Sequence, residues 1–68
     1  MKVREILRVL LEDGWYLDRQ RGSHRQFRHR TKPGVVTVSG HSGDDVRVGT
    51  LRSVLRQAGM LPAPREES

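Results

Sequence analysis

The first apolar residues of the chain fall at Val3, Ile6, Leu7, Leu10 and Leu11, the i, i+3, i+4, i+7, i+8 spacing that lays one stripe along a helix. Lys2, Arg4, Glu5, Arg8 and Glu12 lie off that stripe and read as a solvated face, with Arg8 and Glu12 spaced for a weak i,i+4 pair. The pattern stops at Asp13-Gly14, where glycine suits the left-handed residue that follows a helix end. Alternation then replaces helical spacing. Trp15 to Gln20 and His24 to Arg30 predict two strands around a glycine-containing turn, and Lys32-Pro33-Gly34 predicts a second turn, since proline fixes φ and glycine permits positive φ. Val35 to Ser39, with three valines and a threonine, predicts a third strand because β-branched side chains favour extended backbone. After a polar loop over Gly40 to Asp45, Thr50 is placed to cap a second helix. Leu51, Val54, Leu55 and Ala58 form its apolar face, Gly59 is its stop, and Met60 or Leu61 is the hydrophobic contact at its end.

The order helix, three strands, helix predicts an α+β fold: a two-layer sandwich in which both helices cover one face of a three-stranded antiparallel sheet and the other face is solvated. Residues 1–61 make one domain, and Pro62 to Ser68, with two prolines that cannot continue a helix, read as a flexible tail. The hairpin register follows from its apolar residues. Trp15, Leu17 and Phe27 are all odd-numbered, so they share a face only if odd residues pair with odd across the turn, which requires a connection of odd length such as three residues. Burying each is worth roughly 1.5–3 kcal/mol, more than any surface pair, so the core sets the register. His24, Gln26 and Arg28 then project to solvent together with Tyr16, Asp18 and Gln20.

Composition narrows the chemistry. A chain of 68 residues with 34% hydrophobic residues has a thin core, so each large apolar side chain matters. There is no cysteine, which excludes disulfides, zinc–cysteine sites and thiol catalysis. No apolar run approaches a membrane span, and the chain opens directly into an amphipathic pattern containing acids, unlike a targeting peptide; a cytoplasmic protein is expected. The net charge of +5 is local: Arg19 to Lys32 contains six cations and no acid. A patch of this kind focuses potential and attracts nucleic acid or an acidic protein.

His24 sits inside that patch, after Gly22-Ser23. An imidazole both accepts and donates a proton near neutral pH, and cations beside it can neutralise phosphate, a pairing suited to phosphodiester chemistry. Basic hairpins are, however, commonly only solvated faces, and a histidine in a turn is commonly structural. His41, Asp44 and Asp45 are residue types that bind metals, but their spacing fits no metal-site pattern, so neither metal nor other cofactor is expected.

Taken in order, Gly14-Trp15, Arg19, Gly22-Ser23-His24, Phe27, Thr37-Val38, His41, Gly49-Thr50-Leu51 and Gln57-Ala58-Gly59 resemble the HicA family of toxins, over nearly the whole chain to Met60. The resemblance implies a fold like the double-stranded-RNA-binding domain. It also implies a messenger-RNA endoribonuclease held inactive by an antitoxin of the HicB family, with the catalytic histidine at His24. One departure concerns the residue after Thr37-Val38, where many members have proline and this chain has Ser39; it bears on the rigidity of the loop that follows.

Without thiol or metal, the economical route to cleavage uses the ribose 2′-hydroxyl as nucleophile and His24 as general base or acid. Arg19, Arg21, Arg25 and Arg28 are candidates to hold phosphate, Gln26 to hydrogen-bond a base or sugar, and Tyr16 to stack on a base. On the parity above, His29 lies near the core edge, which favours His41 as any second proton-transfer group. Two rivals remain at this stage: a non-catalytic RNA-binding module of the same fold, and a protein-interaction module whose basic hairpin docks on an acidic partner.

Overall fold

A computed structural model describes residues 1–60, and the expected tail at 62–68 lies outside the described residues. The elements are α1 (Val3–Glu12), β1 (Tyr16–Arg21), β2 (His24–Arg28), β3 (Val36–Ser39) and α2 (Val48–Gln57). The strands form one antiparallel sheet in the order β1-β2-β3. Val3, Ile6 and Leu10 of α1 and Val54 and Ala58 at the end of α2 bury themselves against Trp15, Phe27, Val36 and Val38, which puts both helices on one face. This is the α+β, double-stranded-RNA-binding-domain-like architecture.

Both helices end the same way. In α1 the Trp15 N–H donates to the Leu10 carbonyl at 3.0 Å and the Gly14 N–H to Leu11 at 3.1 Å. In α2 Met60 donates to Leu55 at 2.8 Å and Gly59 to Arg56 at 3.0 Å. These paired bonds satisfy carbonyls that a helix end leaves open, and they require the positive φ that Gly14 (+101°) and Gly59 (+67°) supply. The residue after each glycine, Trp15 or Met60, packs on the core. The start of α1 is capped by the Gly40–Asp45 loop, whose Asp44 and Ser42 carbonyls accept from the Val3 and Arg4 N–H groups at 2.9 and 3.0 Å. That loop is therefore a helix cap, and the described residues contain no group of side chains able to hold a metal ion.

Four sequence expectations are corrected. Thr50 is not the cap of α2, which starts at Val48 behind Arg47; the helix extends one turn earlier because the Arg47 carbonyl already accepts from Leu51. Leu11 and Leu17 are about half exposed, at 56% and 47%: the helices pack on β3 rather than over β1, so an apolar residue on the outer strand is left uncovered. Arg8 and Glu12 form no ion pair; the pairs among the described residues are Lys2–Asp45, Arg28–Asp18 and Lys32–Asp13.

The fourth correction concerns the hairpin. Its connection is two residues, Gly22-Ser23, with Arg21 opposite His24, Gln20 opposite Arg25 and Arg19 opposite Gln26. Glycine with positive φ (+58°) at the first loop position is what a two-residue turn of the II′ kind needs. That turn pairs odd residues with even ones, whereas the core needs Trp15, which is in phase with Leu17, on Phe27's side. One extra residue, Asp18, resolves the conflict: a bulge between Leu17 and Arg19 shifts the register, so that Leu17 pairs with Phe27 and Tyr16 with Arg28.

Candidate nucleic-acid interface

The face of the sheet away from the helices carries two rows of side chains set by the register. Arg21, His24 and Ser39 lie side by side across β1, β2 and β3, and Arg19, Gln26 and Thr37 form the next row. Neighbours within a row are about 4.5–5.5 Å apart at Cβ, and rows are about 7 Å apart along the strands. All six are exposed, because the alternation that buries Phe27, Val36 and Val38 turns them outward. An open groove of ≈ 660 Å³ is lined by Arg19, Gln20, Arg21, His24, Gln26 and Thr37. A volume of this size falls within the range of small-ligand and nucleotide sites. No carboxylate lines it, and neither Arg19 nor Arg21 has an acidic partner among the described residues.

The bulge at Asp18 places these arginines. With the register that the alternation alone predicts, Tyr16, Asp18 and Gln20 would share His24's face and Arg19 and Arg21 would lie on the other. The extra residue reverses this beyond Leu17 and brings both guanidiniums beside the imidazole, while Tyr16 on the other side of the bulge keeps its expected face.

Arg25 and Arg28 are arranged differently. Arg25 alternates to the helix side of β2, where its guanidinium donates to the Gly40 carbonyl at 2.8 Å and ties the sheet to the loop after β3. Arg28 stays on the open face but is paired to Asp18 at 3.3 Å. Neither lines the groove, so the cations brought to His24 are Arg19 and Arg21. Sequence reasoning missed Thr37 and Ser39 as groove-face residues, although the inward valines on either side of Thr37 were the signal.

His24 Nδ1 is hydrogen-bonded to Ser39 Oγ at 2.9 Å, and its Nε2 has no partner among the described residues. The other two imidazoles lie elsewhere. His29 Nε2–H donates to the Asp13 carbonyl at 2.7 Å, its Nδ1 accepts from the Thr31 and Lys32 N–H groups at 3.1 and 3.2 Å, and its ring meets Trp15 edge-on with centroids 5.1 Å apart. It is a structural pin. His41 begins the turn that caps α1, its N–H donating to the Asp44 carboxylate at 3.0 Å, and it does not line the groove.

The perturbed carboxylates are also remote from the groove. The Lys32 ammonium, 2.5 Å from the Asp13 carboxylate, holds the Asp13 pKa below its ordinary value, and the Lys2 side chain does the same to Asp45. The Lys2 backbone N–H, donating to Glu5 at 2.6 Å, lowers the pKa of Glu5. These groups hold helix ends and loops rather than a site.

A three-stranded sheet covered by two helices on one side and bearing a basic, histidine-centred groove on the other defines a small RNA-binding-domain-like protein. The family model described as the HicA toxin of bacterial toxin-antitoxin matches residues 3–60 of the 68. The chain belongs to the HicA toxin family, and membership implies an antitoxin partner. No curated protein matches the chain. Among the described residues no helix is long and apolar enough to cross a membrane.

Proposed function

We propose that this toxin is a metal-independent endoribonuclease that cleaves messenger RNA in the cytoplasm, with His24 as its general acid–base. The observation that carries the reading is the row Arg21–His24–Ser39, which sets an imidazole whose Nε2 is unengaged among the described residues beside guanidiniums that no acid among those residues neutralises. Nε2 takes the proton of a ribose 2′-hydroxyl, the 2′-oxygen forms a bond to the adjacent phosphorus, and the bond from phosphorus to the 5′-oxygen breaks. The 5′-oxygen takes up the proton that Nε2 has accepted, and the products are a 2′,3′-cyclic phosphate and a 5′-hydroxyl end. Arg19 and Arg21 hold the phosphate oxygens through their planar forks, and Gln26 offers an amide to a base or sugar. Positioned proton transfer of this kind contributes about 10²–10⁴ in rate. A HicB-like antitoxin is the partner that silences the enzyme.

The test uses protein freed of its partner, labelled RNA and excess chelator. The parent cleaves, whereas folded His24→Ala binds RNA but cuts it at less than about a tenth of the parent rate. Cleavage lost in chelator and restored by a divalent ion, or persisting in His24→Ala, defeats the reading. Binding without cleavage by the parent itself identifies a non-catalytic RNA-binding module.

A further inference from the structure

The geometry points to Ser39 as the positioning residue that fixes which nitrogen of His24 carries out proton transfer. This rests on the reading of His24 as the acid–base group. The two residues are direct partners across β2 and β3, and Ser39 Oγ lies 2.9 Å from Nδ1. The ladder therefore holds the hydroxyl against one nitrogen, while among the described residues Nε2 has no partner and no carboxylate lines the groove beside it.

The protonation states of the ring decide the direction of that bond. When both nitrogens carry protons, Nδ1–H must donate and Ser39 Oγ must accept. Once Nε2 has lost its proton, the same Nδ1–H···Oγ bond persists unchanged and the lone pair is left on Nε2, aimed at substrate. Losing the Nδ1 proton instead would require the hydroxyl to reverse its role. With the bond kept in this sense, the ring cycles between acid and base without reorganising its support, since the hydrogen bond at one nitrogen sets the chemistry of the other. A hydroxyl does this without placing a negative charge in a groove that has to receive phosphate. Strand alternation makes the device available: Val36 and Val38 turn inward, so Thr37 and Ser39 turn toward the open face.

The experiment compares the full-length parent, Ser39→Ala, Ser39→Thr and His24→Ala, all free of antitoxin. Nitrogen-15 spectra of the neutral histidine ring in the free protein read the tautomer without reference to activity. The parent is expected to show Nδ1 protonated at His24 and Ser39→Ala to shift toward the Nε2-protonated form. In RNA cleavage, Ser39→Ala is expected to lower kcat about tenfold with KM within about twofold, and Ser39→Thr to restore most of the loss. Parent His24 protonated mainly at Nε2, an Ala variant with an unchanged tautomer, or an unchanged kcat overturns the assignment to Ser39. A His24→Ala variant that still cleaves defeats the catalytic reading itself, so the two failures are told apart.

Discussion

Arg19 and Arg21 are the residues through which RNA binding is expected to show its salt dependence, because they are the groove-lining cations without an acidic partner among the described residues. Replacing both with alanine is expected to reduce the slope of log affinity against log salt by about 1.4, two contacts on single-stranded nucleic acid, in a filter-binding titration. Arg25→Ala is expected to leave that slope nearly unchanged and to lower stability by about 1 kcal/mol, since it removes the bond to the Gly40 carbonyl. An equal fall in slope for Arg25→Ala would put the RNA on the other face. Residue types alone did not separate these arginines: Arg19, Arg21, Arg25 and Arg28 sit in one basic run, and only the register says which has a partner and which faces the imidazole. His24 was different. Its exposure was legible from the burial of Phe27 on the same strand, whereas its contact with Ser39 depends on how β2 and β3 pair, which a single sequence does not state.

At the scale of elements, the helix ends and the third strand were legible because each is set by local chemistry: glycine after the last turn, β-branched residues in alternation. The hairpin was legible only in part. Core burial and turn geometry made contradictory demands on parity, and counting apolar residues saw one of them. The contradiction yields a test. Deleting Asp18 while keeping the two-residue turn puts Trp15 and Leu17 out of phase with Phe27 and is expected to cost about 3–5 kcal/mol, on the order of losing a buried aromatic. Asp18→Ala keeps the count and removes only an exposed ion pair, worth about 0–1 kcal/mol in denaturant unfolding. Equal stability of the two variants would mean that the strand slips freely. Gly14→Ala tests the helix end: its Cβ would lie 2.7 Å from His29 Nε2 at a φ of +101°, and a loss of more than about 1 kcal/mol is expected. A melt indistinguishable from the parent's would show that this close approach is not needed.

The whole molecule is held by one small core and a few ion pairs, and its acid response follows from them. The folded-state pKa values of Glu5, Asp13 and Asp45 are lowered from ordinary values of 4.5, 3.8 and 3.8. A lowered folded pKa means that the unfolded chain binds protons first as pH falls. The stabilisation is therefore present above about pH 4.5 and is lost progressively below about pH 4, as pH passes through the unfolded and then the folded values. Thermal melts across pH should show this, and Lys32→Met should flatten the part due to Asp13, because the Lys32 ammonium is the main cause of that shift. A loss already under way at pH 6 would locate the sensitive groups elsewhere. Lys32 also donates to the Ala58 carbonyl at 3.1 Å, so this one side chain ties the β2–β3 connection to both helix ends. Phe27→Ala is expected to cost about 3–5 kcal/mol, enough to unfold a domain of this size, and a cooperative melt near the parent's temperature would show the core assigned wrongly.

The extra residue at Asp18 makes β1 a strand with two phases. Before it, odd positions answer to the core; after it, odd positions answer to the groove. A saturation scan of Trp15 to Arg21 should therefore show its pattern of tolerance break at the bulge: buried Trp15 accepts only large apolar replacements, half-exposed Leu17 accepts more, and from Arg19 onward the odd positions accept only cations. Stability would be the quantity lost on one side of the break and RNA cleavage on the other.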